Sequence, residues 1–109
     1  MIEINIARDF SKTPFGRYYS DSPFSAEKFR KEILVPAFKN NADGKVSVDF
    51  TGIALGIGSS FLEEAFGGLV RKEGIEKSNL KNRLIIKSKM PFHKVQIDRY
   101  IEQAQPERR

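Results

Sequence analysis

An α/β domain, with a mixed sheet of about four strands and about three helices lying mainly on one face, is the fold class this sequence predicts. Three observations carry that reading. Ile2, Ile4 and Ile6 alternate with Glu3, Asn5 and Ala7, the period of a strand buried on one face. Val46, Val48 and Phe50 alternate in the same way with Ser47, Asp49 and Thr51, and a glycine-punctuated turn then leads into a sharply amphipathic segment. A third apolar run, Leu84 to Ile86, follows that segment, so residues 45–88 read as strand, helix, strand.

The elements follow in order. After the opening strand, residues 10–24 set Phe10, Phe15, Tyr18, Tyr19 and Phe24 among Pro14, Gly16 and Pro23. That mixture predicts a turn, a short second strand near Arg17 to Ser20, and a loop. Two strands joined by so short a turn should pair antiparallel. The rings around Arg17 offer a stacking site for a base or a charged peptide, or a seal on the end of the core.

The first helix should take Ser22 or Ser25 as its cap and run to about Asn40, with Phe29, Ile33 and Ala37 on one stripe. Pro36 removes an N–H and crowds the preceding turn, which predicts a kink or an end near Val35. Asn40, Asn41, Asp43 and Gly44 stop the helix ahead of the middle strand.

The second helix, about 60–72, carries two apolar rows, Phe61, Ala65, Leu69 and Leu62, Phe66, Val70. Ser59 and Ser60 stand where N-cap hydroxyls belong, and Ser60 with Glu63 has capping-box spacing. A polar connection from Gly74 to Asn82 then feeds the third strand, whose unbroken apolar run suggests cover on both faces. The last helix, roughly Phe92 to Gln103, presents Val95, Ile101 and Ala104, flanked by Ile97 and Tyr100. Residues 1–104 therefore form one domain, and 105–109 read as a frayed, disordered tail.

Composition narrows the function classes. The chain has 109 residues, no cysteine and a single histidine, His93. Disulfide frameworks and thiolate metal sites are excluded, and a histidine-based metal site has no second ligand. No leader-like segment and no run of eighteen apolar residues is seen, so a cytoplasmic protein without a membrane span is expected. The net charge of +5 is C-terminal: residues 1–70 hold eight Lys and Arg against nine Asp and Glu, and residues 71–109 hold eleven against five. That imbalance suits a solvated surface, and it also suits nucleic acid or a nucleotide, with Lys81, Arg83, Lys87, Lys89 and Lys94 as contacts. No arginine-rich run occurs before Arg108 and Arg109.

Enzyme motifs do not assemble. In GIGSSF, Phe61 stands where a dinucleotide fingerprint needs its third glycine, and no lysine precedes the serines as a Walker A loop requires. Glu63 and Glu64 are adjacent, which points them about a hundred degrees apart on a helix and suits shared acid–base work poorly. No cofactor is expected and no catalytic residue is assigned.

The run VDFTGIALGIGSSFLEEAFGGLV resembles the central signature of STAS domains, the modules of anti-sigma-factor antagonists and of sulfate-transporter tails. The longer pattern, an opening strand, FSKTPFGRYYSDSPFSAEKFR and then GSSFLEEAFGGLV, is more similar to the STAS-like family of unknown function found in bacteria, and covers nearly the whole chain. The resemblance implies a regulatory protein-interaction module with a phosphorylatable serine at the helix start, Ser59 with Ser60 behind it. It implies a histidine-kinase-like ATPase as partner. Three departures stand out: Gly58 replaces an aspartate, Phe61 replaces a glycine, and the loop from Asp49 to the serines is one residue longer. Glu63 and Glu64, in the first turn, would repel a phosphate on Ser59.

Gly67 and Gly68 follow those acids by four residues and precede Arg71 and Lys72 by four, which places them on the polar face of the second helix. Each costs roughly 1 kcal/mol relative to alanine in a helix interior. Either a partner's backbone approaches the bare strip or a neighbouring helix of the same fold does. With Gly58, Glu63, Glu64 and Arg71 they define the candidate partner-binding face.

Overall fold

The computed structural model describes residues 1–41, 44–54 and 56–107. Its sheet has three strands, β1 (Ile2–Asn5), β2 (Val46–Asp49) and β3 (Leu84–Lys87), in the order β1-β2-β3. Both pairings are parallel, with Ile2 opposite Val46, Val46 opposite Leu84 and Val48 opposite Ile86. Among the described residues five helices accompany it: α1 (Ile6–Asp9), α2 (26–39), α3 (59–71), α4 (Lys77–Arg83) and α5 (Pro91–Gln103). Ile4, Val46 and Val48 are buried under the helices, while Glu3, Ile85 and Lys87 on the opposite sheet face are exposed. The helices thus gather on one face, as the alternation predicts.

The expected fourth strand does not form. Residues 17–20 make a turn, in which Asp21 N–H donates to the Tyr18 carbonyl at 2.8 Å and the Asp21 carboxylate accepts from the N–H groups of Tyr18 and Arg17. One aspartate satisfies locally the backbone groups that a strand would need a neighbour to satisfy. The antiparallel pairing is corrected accordingly: β1 meets β2 in parallel, with α2 in the crossover that a parallel pair requires.

Ser25 is the cap of α2, its Oγ accepting from Lys28 N–H at 3.2 Å. The helix does not end at Val35. Residues Arg30–Leu34 form a widened π turn, in which Val35 N–H reaches back to the Arg30 carbonyl. Pro36, with no N–H to give, follows directly. The extra residue per turn moves the inward row by one position, so Leu34 is fully buried in place of the expected Ile33. Gly44 N–H donates to the Asn41 carbonyl beyond the helix end; Asp43, read as part of the same stop, lies outside the described residues.

Both apolar rows of α3 are buried, from Phe61 to Val70. Glu64, Gly67 and Gly68 are buried too, so α3 is enclosed on nearly every side and the expected polar face at the glycines is corrected. Residues 77–83 are helical although they were expected as a plain connection; Leu80 is their only apolar residue, and one residue sets no period. β3 is not covered on both faces. It is the sheet's edge, with Ile85 36% exposed and Leu84 and Ile86 half-buried. In α5, Val95 points outward at 56% exposure, and Ile97 and Ile101 make the contact with the core. After α5, Glu107 N–H donates to the Arg71 carbonyl at 3.0 Å and its carboxylate meets Lys72 at 2.6 Å. Arg108 and Arg109 lie outside the described residues.

Candidate functional site

The site is built from β2 outward. Past the strand, Asp49 Oδ1 accepts from Thr51 N–H at 2.8 Å, a bond that lowers the Asp49 carboxyl below its ordinary range. Gly52 takes φ +94°, a conformation that only a residue without Cβ adopts freely. The loop then delivers an extended Gly58, and α3 begins at Ser59.

Gly58, Ser59 and Ser60 are all exposed. Gly58 holds the cap position and contributes no side-chain bond, so the capping role expected of the serines is corrected. Neither hydroxyl has a hydrogen-bond partner among the described residues. The expected Ser60–Glu63 box is open because Glu63 is taken: Arg17 Nη1 donates to its Oε1 at 2.6 Å and Arg71 Nη1 to its Oε2 at 2.7 Å. Partial burial pushes the Glu63 carboxyl up, and the bonds from Arg71 and Arg17 outweigh that and hold it below its ordinary range.

Behind this pair lies a larger ionic cluster. Arg30, 1% exposed, donates to the Glu64 carboxylate at 2.6 Å, to the Glu64 carbonyl at 2.7 Å and to Glu73 at 2.9 Å. Glu64 also meets Arg17 at 3.1 Å and Arg71 at 3.6 Å. Three arginines and three glutamates therefore cancel around the α2–α3 contact, Arg17 reaching it from the loop before α2 and Glu73 from just beyond α3. The repulsion that Glu63 and Glu64 would exert on an anion at Ser59 is largely neutralised by this arrangement.

The same cluster explains the glycines. A Cβ on Gly68 would stand 2.9 Å from Arg30 Cδ and collide with its guanidinium; one on Gly67 would stand 2.9 Å from Glu63 Oε2 and 3.5 Å from the Tyr100 carbonyl. Neighbouring helices of the same fold occupy both positions. Of the candidate partner-binding residues, Gly58, Glu63 and Arg71 reach the surface, whereas Glu64, Gly67 and Gly68 are enclosed.

The rings near Arg17 do not seal the core. Arg17 turns to the glutamates, leaving Phe15 57% and both Tyr18 and Tyr19 46% exposed. His93 is 8% exposed, bonded through Nδ1 to Ser88 Oγ at 2.7 Å and stacked on Phe50; burial lowers its pKa.

The five basic residues proposed for nucleic acid do not act as one set. Arg83 is buried, donating to the carbonyls of Gly44 and Phe38 and to Asn79 Oδ1, so its assignment as a contact is corrected. Lys81 pairs with Glu102, Lys94 with Asp98, and Lys87 approaches Glu3. Lys89 is exposed.

The ionic cluster was not foreseen. Its one signal in the sequence is Arg30 on the α2 stripe next to Phe29, where an apolar residue would be expected. Among the described residues no group of three or more metal-ligating side chains is found, and no helix is long and apolar enough to cross a membrane.

A family model described as a STAS-like domain of unknown function (DUF4325) matches residues 25–89, from the cap of α2 to just past β3. Comparison with curated proteins and with solved structures gives no match.

Proposed function

The chain belongs to the STAS-like domains of unknown function (DUF4325), and from that premise we propose a regulatory module that acts by binding a protein at the exposed amino end of α3, with Ser59 as its phosphorylation switch. The observation that supports this most directly is the state of the first turn. Ser59 and Ser60 are exposed without partners among the described residues, while the acid one turn on is held by Arg17 and Arg71. A phosphate on Ser59 would add about −1.5 to −2 charges beside the positive end of a helix, a site that tolerates them. It would change the affinity of a partner without refolding the domain.

Exposed aromatic side chains follow Arg17 in the chain. Arg17 is anchored on Glu63, and Tyr18 and Tyr19, next to it in the chain, keep nearly half their surface free, with the Tyr19 hydroxyl donating to Glu32 of α2. Tyrosine supplies contact area at low entropic cost, which suits a docking surface. By family resemblance the partner is a histidine-kinase-like ATPase, transferring the γ-phosphoryl group of ATP to Ser59 Oγ with release of ADP and the hydroxyl proton.

Affinity capture from the native cell, with the wild type beside Ser59→Ala and Ser59→Asp, tests the proposal. Recovery of one ATPase by the wild type and Ser59→Ala, and its loss with Ser59→Asp, is the expected result. Equal recovery of the same proteins by all three would refute the switch. Nucleic-acid binding through the basic C-terminal third gains no support from a set whose arginine is buried and most of whose lysines face acids.

A further inference from the structure

The open edge of β3 has the geometry of an unfinished sheet. Phe50 N–H donates to the Lys87 carbonyl at 2.9 Å, which turns the Lys87 backbone toward β2. By the alternation of a parallel ladder, the N–H and C=O of Ile86 then point the other way. They have no partner among the described residues.

Beside that edge the helical layer overhangs the sheet. α4 enters β3 from one end and α5 runs back along it, with Lys77 Nζ donating to the Glu102 carbonyl where the two helices meet. Between them lies a groove of about 470 Å³, floored by Leu80, Leu84, Ile86 and Ile101. Val46 and Val48, the counterparts of Leu84 and Ile86 on the central strand, are 0% exposed, whereas Leu84 and Ile86 are only half-covered. The apolar floor continues past the last strand.

Charge selects the occupant. Lys81, Lys94 and Arg99 line the groove, against Asp98 and Glu102. The two acids are matched by Lys94 and Lys81, and Arg99 has no ion-pair partner among the described residues. A short edge strand carrying a lysine opposes pairing with a second copy of this chain. We infer that this edge takes an extended segment of another protein as a fourth strand, one whose apolar residues enter the groove and whose carboxylates face Arg99. Backbone bonds to Ile86 would supply affinity and the alternating side chains selectivity. The inference goes beyond the Ser59 reading and rests on different residues.

A labelled synthetic peptide in which valine alternates with aspartate and glutamate is the probe, followed by fluorescence anisotropy at low salt. Saturable binding is expected, weakened about tenfold by Arg99→Glu, an exposed site where folding is checked by circular dichroism. N-methylation of every second peptide residue should abolish binding in one register and spare it in the other. Amide exchange at Ile86 should slow on binding. No saturable binding, equal binding of a valine–lysine peptide, or unchanged exchange at Ile86 would overturn the inference. So would a dimer in sedimentation whose Ile86 amide is already protected, since the occupant would then be a second copy. The same measurements on Ser59→Ala should be unaltered, which keeps failure here separate from failure of the switch.

Discussion

Arg30 and Glu64 are joined across the α2–α3 interface, 1% and 2% exposed, with Arg30 Nη1 donating both to the carboxylate at 2.6 Å and to the carbonyl of the same residue at 2.7 Å. One guanidinium thus grips side chain and backbone of the opposite helix at its π turn. Such a pair fixes how two helices register more than it stabilises them, because desolvation offsets much of its attraction.

Breaking one side leaves a buried charge without its partner. Arg30→Met should cost about 3–5 kcal/mol in urea unfolding, because it leaves Glu64 and Glu73 short of a buried donor. Adding Glu64→Leu should cost less than the sum of the two single changes by about 1–3 kcal/mol. A double-mutant cycle whose coupling is zero would show that the pair does not act as a unit.

Gly68→Ala tests the same interface from its backbone. Helix propensity alone predicts a gain of about 1 kcal/mol. The Cβ would collide with the Arg30 guanidinium, whose movement is confined by Glu64 and Glu73, so a loss of about 1–3 kcal/mol is expected instead. In the Arg30→Met background the sign should reverse or the loss vanish. Thermal unfolding of the four proteins decides it.

What the sequence made legible follows from period. β1, β2, α3 and α5 carry clean alternation or helical rows, and each forms within a residue or two of its expected place. α4 has one apolar residue and no row to read. Residues 17–20 look strand-like by composition, and an aspartate four positions after Arg17 closes them into a turn. The shift from Ile33 to Leu34 comes from a widened turn that spacing at 3.6 residues cannot represent. At the candidate site the start of α3 and the exposure of its serines were readable from the glycine loop, whereas the pairing of Glu63 and Glu64 with Arg17, Arg30 and Arg71 spans up to 47 positions in the chain. Local pattern carries no information at that range, and the two glycines were assigned to the wrong face for that reason.

Capping separates two serines that the sequence treats alike. Ser25 Oγ accepts from Lys28 N–H, so Ser25→Ala should cost about 1 kcal/mol. Ser59→Ala should change stability by less than about 0.5 kcal/mol, because Gly58 holds the cap position and the Ser59 hydroxyl bonds to nothing described. Ser59→Asp should be neutral or stabilising by about 0.3–1 kcal/mol through the helix dipole. Chemical denaturation of the three variants checks the contrast; a loss at Ser59→Ala equal to that at Ser25→Ala would assign Ser59 a structural role and remove the argument that its hydroxyl is free for modification.

Acid should reveal the tie between Glu63 and its two arginines. The Glu63 carboxyl is depressed in the folded chain by Arg71 and Arg17, so the unfolded chain binds its proton first as pH falls. Its contribution is complete above the ordinary carboxylate value of about 4.3 and disappears as pH drops through the lower folded value. Glu63→Gln should flatten that part of a plot of melting temperature against pH while leaving the neutral-to-basic limb parallel to the wild type. Added salt should shrink the difference only in part, since Glu63 is shielded beside Arg17 and Arg71. If wild type and Glu63→Gln lose stability in parallel below pH 4, the two arginines do not hold the carboxylate, and a phosphate on Ser59 would meet an uncompensated charge one turn away.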